Sequence, residues 1–359
     1  MTIKNSGIIF AFIIGFVVGV QVFFWIFLRN SNSLTFRSEL FNNKAKSIDN
    51  LHKYDTSFAD KLFDQVKILC LILTQPSNHE TKVYHVNNTW GYKCTKLILL
   101  STKNHTNFET FSIPRNESRD ILWGKVRNGF EQAYLKYYKE YDWFLKGDDD
   151  SYFVMENLRQ ALYQYNSSIS IIVGHKYVIQ NVKEGYMAGA GYVLSRKALE
   201  KLSRIFKNST ICRTDENGAE DAEMGKCLAS NALFLDGHDE LGEKQFFPVS
   251  VTEHMSYKKL DYDYWYTRNQ WFNVTQGGLE CCSRNLACMH YIKPSEMYRF
   301  NYLINNVHPF GLQKNYDLEM PRKLDIQELV KLADQRSSSP NYVNHTIVHN
   351  FDNDEVFLD

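Results

Sequence analysis

The sequence lacks net charge: 41 Lys and Arg are matched by 41 Asp and Glu. Nucleic-acid-binding domains carry a basic footprint, so the charge balance argues against DNA or RNA as partners. There is also no pair of Cys-x-x-Cys knuckles, which leaves a structural zinc site without support from spacing. Internal repeats are absent, and no Ser-His-Asp grouping of hydrolase type stands out. Aromatic residues are plentiful instead. With 22 Tyr and 24 Phe, aromatics reach 14% and the apolar fraction 44%. That supplies a packed core, and Tyr and Trp suit surfaces that stack on flat or ring-shaped ligands.

Apolar residues concentrate first in Ile8 to Leu28, where only Gln21 is strongly polar. At 1.5 Å per residue, a helix of this length spans roughly 30 Å, the thickness of the hydrocarbon layer. A cleaved signal peptide is the competing reading. It would have a shorter apolar region and a small-residue cleavage site, whereas this run continues through bulky Phe23-Phe24-Trp25-Ile26-Phe27. The expected order is a cytoplasmic tail (1–7), a transmembrane signal-anchor (8–28) and a polar luminal stem (29–64).

Lys4 and Arg29 flank the run without orienting it. The glycosylation triplets orient it better: Asn87, Asn104, Asn116, Asn166, Asn208, Asn273 and Asn344 all lie beyond it. Each alone is a weak match; together they predict a luminal body and a type II protein. The seven cysteines (70, 94, 212, 227, 281, 282 and 288) also lie beyond the run, which fits an oxidising lumen. An odd count leaves at least one thiol free or paired with another chain. Spacing alone does not fix connectivity. Cys70–Cys94 and Cys212–Cys227 are the expected bridges, because each pair flanks a compact segment.

Val66 to Leu73 and Leu97 to Leu100 read as strands separated by a helix-length connection, the pattern of a βαβ unit and a parallel sheet. From Asp120 to Tyr141 apolar and charged residues alternate at helical spacing, with Ile121, Val126, Phe130, Ala133, Tyr134 and Tyr137 as one stripe. Trp143-Phe144-Leu145 reads as a buried strand and Glu156 to Tyr165 as a helix. Ile171-Ile172-Val173 and Tyr192-Val193-Leu194 follow as strands, and Lys197 to Phe206 as a helix. The fold class is α/β, with a catalytic domain over 65–315 and a loosely held tail over 316–359.

Three segments carry candidate chemistry. Asp148-Asp149-Asp150 follows the Trp143 strand, at the carboxyl end where α/β sheets bind ligands. Crowded carboxylates repel one another, and a hard cation such as Mg²⁺ or Mn²⁺ relieves that repulsion; a solvated acidic turn is the bland alternative. Glu220 and Asp221 open a helix, where acids are also favoured by the dipole alone. His290-Tyr291 follows Cys281-Cys282-Ser283, and a lone His is ordinarily structural unless carboxylates surround it. The aromatic tract Tyr262, Tyr264, Trp265, Tyr266, Trp271 and Phe272 is either core or, with its interleaved Asp, Arg and Asn, a sugar-binding surface.

Together these segments, with Ala188-Gly189-Ala190-Gly191-Tyr192-Val193-Leu194-Ser195, Gly225-Lys226-Cys227 and Met297-Tyr298, resemble the core 1 β1,3-galactosyltransferase group of the β1,3-glycosyltransferases. The order and spacing match over residues 66–312. The resemblance implies a GT-A fold, a Rossmann-like, mostly parallel sheet flanked by helices, preceded by one transmembrane helix. It implies a Golgi enzyme that transfers galactose from UDP-galactose to the 3-hydroxyl of GalNAc on Ser or Thr, with inversion. Asp150, His290 and Asp148 are then the Mn²⁺ ligands. Thr74, Lys125, Lys146, Asp148 and Asp149 lie on the donor side, Asp221 is the general base, and Trp265, Tyr266 and Glu220 face the acceptor.

A homodimer and a dedicated folding chaperone are the further partner expectations. Gly147 stands where the group usually has Ala, Cys288 where it has a small hydroxyl residue, and the aromatic tract lacks following prolines. The competing readings are a related transferase using glucuronic acid or N-acetylglucosamine, a non-catalytic chaperone relative, and a sugar-binding module without turnover. The chaperone relative lacks the acidic triplet, which is complete here.

Overall fold

The buried run Ile68–Leu73 forms strand β1, and its alternate residues feed two cores. Ile68, Cys70 and Ile72 join one cluster, while Leu69, Leu71 and Leu73 join the other. A strand covered on both faces reads as continuous apolar sequence. In this computed structural model the described residues are 56–179, 182–256, 264–271, 281–307 and 320–334, with Gln21 alone before them. Residues 1–7, the anchor stretch other than Gln21, most of the stem, Asn273, Asn344 and Ser337 to Pro340 lie outside them. Among the described residues no helix is long and apolar enough to cross a membrane.

β1 pairs in parallel with β2 (Lys96–Ser101) and with β4 (Trp143–Asp148), and β2 pairs in parallel with the short β3 (Thr110–Ser112). Between β1 and β2 the chain makes a 3-10 turn (Pro76–Asn78), a π turn (His79–Val83), the short helix α2 (Tyr84–Thr89) and a second 3-10 turn (Gly91–Lys93). Helix α3 (Leu122–Tyr137) buries Trp123, Val126, Phe130 and Ala133 against the sheet, close to the stripe expected from its periodicity. After β5 (Tyr152–Phe153) and α4 (Met155–Tyr163), strands β6 (Ile171–Ile179) and β7 (Val182–Ser195) form an antiparallel pair far longer than the two short strands read from sequence. The sheet order is β3-β2-β1-β4-β7-β6-β8, with β8 (Leu233–Asp236) parallel to β6. β7 alone runs against the other strands, so the sheet is largely parallel with helices on both faces.

β7 approaches β4 closely at the end where the carboxylates lie. Gly191 pairs with Gly147 and has a φ of +143°, and a Cβ there would come 2.2 Å from the Lys146 carbonyl oxygen. Only glycine fits both the space and the backbone angle. Helix α5 (Arg196–Ile205) starts at once, its first turn capped by the Ser195 hydroxyl accepting from the Ala198 N–H. A second sheet of three strands, β5-β10-β9, sets β10 (Cys288–His290) beside β9 (Phe246–Ser250). Met289 pairs with Tyr152, which carries His290 back over the end of β4.

Two boundaries differ from the sequence reading. Ser57–Gln65, placed in the stem, is helix α1 and buries Leu62. Within the segment read as a loose tail, Ile326–Asp334 is helical and buries Leu329 and Ala333, and the Leu324 N–H donates to the Gln164 carbonyl. Both segments are short and mostly polar, so a few core-facing side chains escape a periodicity count. Cys70–Cys94 and Cys212–Cys227 are bridged as expected. Cys281 and Cys282 form a third disulfide, leaving Cys288 as a buried free thiol.

Candidate active site

Asp148 is the last residue of β4, and the turn after it sends the next two carboxylates in different directions. The turn is fixed by the Ser151 N–H donating to the Asp148 carbonyl (3.1 Å) and by the Ser151 hydroxyl donating to the Ala190 carbonyl (2.6 Å). Asp149 points into a neighbouring network, where it accepts from Thr74 Oγ1 (2.7 Å), Asn78 Nδ2 (2.8 Å) and Lys82 Nζ (2.9 Å). Asp150 turns instead toward β10, placing Oδ1 3.5 Å from His290 Nε2. Asp148 Oδ2 is 3.9 Å from the same nitrogen.

The other ring nitrogen, His290 Nδ1, donates to the Pro248 carbonyl at 3.0 Å. That bond fixes the tautomer and leaves the Nε2 lone pair facing the two carboxylates, the outer-shell arrangement of metal-binding histidines. One ligand atom each from Asp148, Asp150 and His290 lies within 4.8 Å of the others. Two hard oxygens and an imidazole nitrogen fit a divalent cation such as Mn²⁺ or Mg²⁺. Burial works against a charge on His290, but the contact with Asp150 and the charge of Asp148 outweigh it and raise its pKa. Burial likewise pushes against ionisation of Asp150, and His290 outweighs it, so this carboxyl is held low. Each group thus favours the charged form of the other, an attraction that a bound cation would replace.

Helix α6 (Glu220–Leu228) brings its first turn to the same place. Asp221 shares with Asp148, His290, Tyr186 and Trp265 a cleft of about 340 Å³ that Leu122, Gly189 and Tyr291 also line. Burial raises the Asp221 pKa, a shift opposed by Lys146 and by the Ala222 N–H that its carboxylate accepts at 2.8 Å. Across the cleft, Tyr177 stacks on Tyr186 and on Trp265, with ring centroids 5.5 and 6.2 Å apart. Trp265, which opens a short helix (Trp265–Asn269), is 47% exposed and offers a flat face. A larger hollow of about 400 Å³ opens at the opposite ends of β1 and β4, near Val66 and Trp143, and lacks such a carboxylate cluster.

Tyr266 and Lys125 do not line the cleft, whereas Lys146 and Glu220 line it with their charges already paired. Tyr266 is fully buried, packed edge-on to Tyr177 and His254, so it supports the aromatic wall and does not face an acceptor. Glu220 is buried with both oxygens engaged, by the Tyr192 hydroxyl (2.5 Å) and Lys146 (3.0 Å). Lys146 spends its ammonium on Glu220 and Asp148. Lys125 pairs with Glu117 (2.6 Å) and the Thr74 carbonyl (2.8 Å), so it anchors the Thr74 loop. For Glu220, Lys146 and Lys125 the contacts neutralise a buried charge. Sequence reasoning missed Asn78 and Lys82, which no local pattern marks, and gave Tyr192 no role beyond a strand and the motif that carries the resemblance.

A half-buried acidic strand end facing a helix-borne carboxylate and an exposed Trp, on a largely parallel sheet, is an arrangement that suits a group-transfer enzyme. The comparisons narrow this. A family model described as Fringe-like matches residues 64–235. Glycoprotein-N-acetylgalactosamine 3-beta-galactosyltransferase 1 of Xenopus laevis is 32% identical over 265 residues, covering 73% of this chain and 72% of that protein. The chain belongs to this Fringe-like family of glycosyltransferases.

Proposed function

We propose that the protein is an inverting β1,3-galactosyltransferase, moving galactose from UDP-galactose to the 3-hydroxyl of GalNAc on Ser or Thr. The observation that carries this reading is the shared cleft: Asp148 and His290 of the Asp148–Asp150–His290 group line the same space as Asp221 and Trp265. The 32% identity to the Xenopus galactosyltransferase supports galactose as the sugar and GalNAc as the acceptor. A GT-A nucleotide-binding role fits carboxylates at the carboxyl end of β4. The anchor stretch and the glycosylation triplets support a type II Golgi protein with a luminal catalytic domain.

In this mechanism Asp148, Asp150 and His290 would hold Mn²⁺. When bound, the cation offsets the charge that builds on the diphosphate as the sugar bond breaks. The Asp221 carboxylate takes the proton of the 3-hydroxyl while that oxygen bonds to the anomeric carbon. The bond from that carbon to UDP breaks in the same displacement, and its electron pair leaves with UDP. One base is then sufficient, and the raised pKa of Asp221 suits it to accept a proton. Trp265 stacks on the acceptor sugar.

The test is UDP release across UDP-galactose, UDP-GlcNAc and UDP-glucuronic acid, with and without a GalNAc-Thr glycopeptide. Release with UDP-galactose alone, and only with the glycopeptide, is expected. Release with another donor overturns the galactose assignment. Folded protein that binds UDP yet turns over none of them points to a non-catalytic relative.

A further inference from the structure

The ammonium of Lys146 lies between two carboxylates from different elements. It is 2.8 Å from Oδ1 of Asp148, at the end of β4, and 3.0 Å from Oε2 of Glu220, at the start of α6. The other Glu220 oxygen accepts from the Tyr192 hydroxyl at 2.5 Å. Tyr192 sits on β7 directly opposite Lys146 in the strand register. Lys146, Glu220 and Tyr192 are all buried, so these contacts are the main partners of their polar atoms. The result is a chain of contacts from a phenol through a carboxylate and an ammonium to one oxygen of Asp148.

That chain divides the two oxygens of Asp148 between two tasks. Oδ1 is held by the ammonium, and Oδ2 is left facing His290 Nε2 at 3.9 Å, within the Asp148–Asp150–His290 group. A free carboxylate binds a cation through one oxygen or through both; with Oδ1 engaged, only Oδ2 remains. The same contacts tie the first turn of α6, which bears Asp221, to the end of β4. Without the Tyr192 hydroxyl, Glu220 Oε1 loses its buried partner. Glu220 then shifts, and its hold on the ammonium loosens.

We infer that Tyr192 and Glu220 are positioning residues that act through Lys146 to present Asp148 to a divalent cation by Oδ2 alone. The inference rests on the proposed cation site. Neither residue belongs to the Asp148–Asp150–His290 group, although both reach the wall of the cleft. Their effect reaches the cation through the orientation of one ligand, as outer-shell partners do elsewhere.

The experiment is titration of Mn²⁺ into the full chain with UDP present, followed by calorimetry and by the electron paramagnetic resonance of free Mn²⁺. Wild type is compared with Tyr192→Phe and Glu220→Gln, and the thermal midpoint without metal is measured for each. Outer-shell substitutions typically weaken metal binding about 10- to 100-fold. A rise of about 10-fold in the Mn²⁺ Kd for Tyr192→Phe, and at least as much for Glu220→Gln, is the expected result. Should one variant fail to fold, the other decides. An unchanged Kd in folded variants, even with a lowered midpoint, overturns the inference and leaves the network a structural tie. Wild type that binds no Mn²⁺ overturns the cation site itself, an outcome distinct from normal binding with unaffected variants.

Discussion

Lowering the pH from 7 to 5 destabilises the protein through two buried histidines, His175 on β6 and His254 in the short helix Val251–His254. Neither nitrogen of His175 has a hydrogen-bond partner, and the residue is 2% exposed. Burial, reinforced by Lys244 and His238 and only partly offset by Asp236, pushes its pKa down to about 3. Burial, Lys244 and His175 push His254 to about 2. In the unfolded chain both titrate near the ordinary 6.5. The folded values lie below the unfolded ones, so this stability is complete above about pH 6.5 and is lost as the pH falls toward the folded values.

From pH 7 to 5 each unfolded histidine takes up most of a proton that the folded form refuses. That costs about 2 kcal/mol per residue and about 4 kcal/mol for the pair. His175→Phe isolates one half, because a phenyl ring can occupy the place beside Tyr177 and Tyr266, whose centroids lie 4.7 and 5.5 Å away. Urea unfolding followed by tryptophan fluorescence measures the effect. The variant should lose about 2 kcal/mol less than wild type between pH 7 and 5. An identical loss in both proteins refutes the reasoning, since it would mean that His175 gains its proton while folded.

Asp221→Asn keeps the helix start and the shape of the cleft but removes the base. UDP binding should be unchanged while kcat falls about 10²- to 10⁴-fold; normal turnover would take Asp221 out of the mechanism. In wild type, activity falls as the pH drops through the raised Asp221 pKa, and a pH–rate profile checks this direction. Trp265→Ala removes the exposed ring of the aromatic wall and should raise the acceptor KM more than the donor KM. Equal effects in steady-state kinetics would make that ring structural.

Much of the framework was legible because burial writes directly into sequence. The six consecutive buried residues Ile68–Leu73, the α3 stripe and the Trp143 strand all follow from apolar spacing. The meeting of Asp148, Asp150 and His290 was reached through resemblance, because β10 is three residues long and returns from far along the chain. Pairing was harder. Local sequence marks Lys125, Lys146 and Glu220 as charged residues beside a strand or at a helix start, but not which buried charge each must neutralise. Contacts to Glu117, Asp148 and Tyr192 decide that, and only folding creates them. Tyr266 was misplaced for a related reason: an aromatic tract reads alike whether its rings face inward or outward, and Trp265 and Tyr266 are adjacent yet face opposite ways.

The most direct test of the central claim is UDP release from UDP-galactose and a GalNAc-Thr glycopeptide, by wild type and by Asp150→Ala, over a range of Mn²⁺. The account predicts Mn²⁺-dependent, glycopeptide-dependent release by wild type. It predicts none by Asp150→Ala, even in excess metal, because one of the ligands in the Asp148–Asp150–His290 group is gone. Full activity of Asp150→Ala, or wild-type release that ignores Mn²⁺, would contradict it.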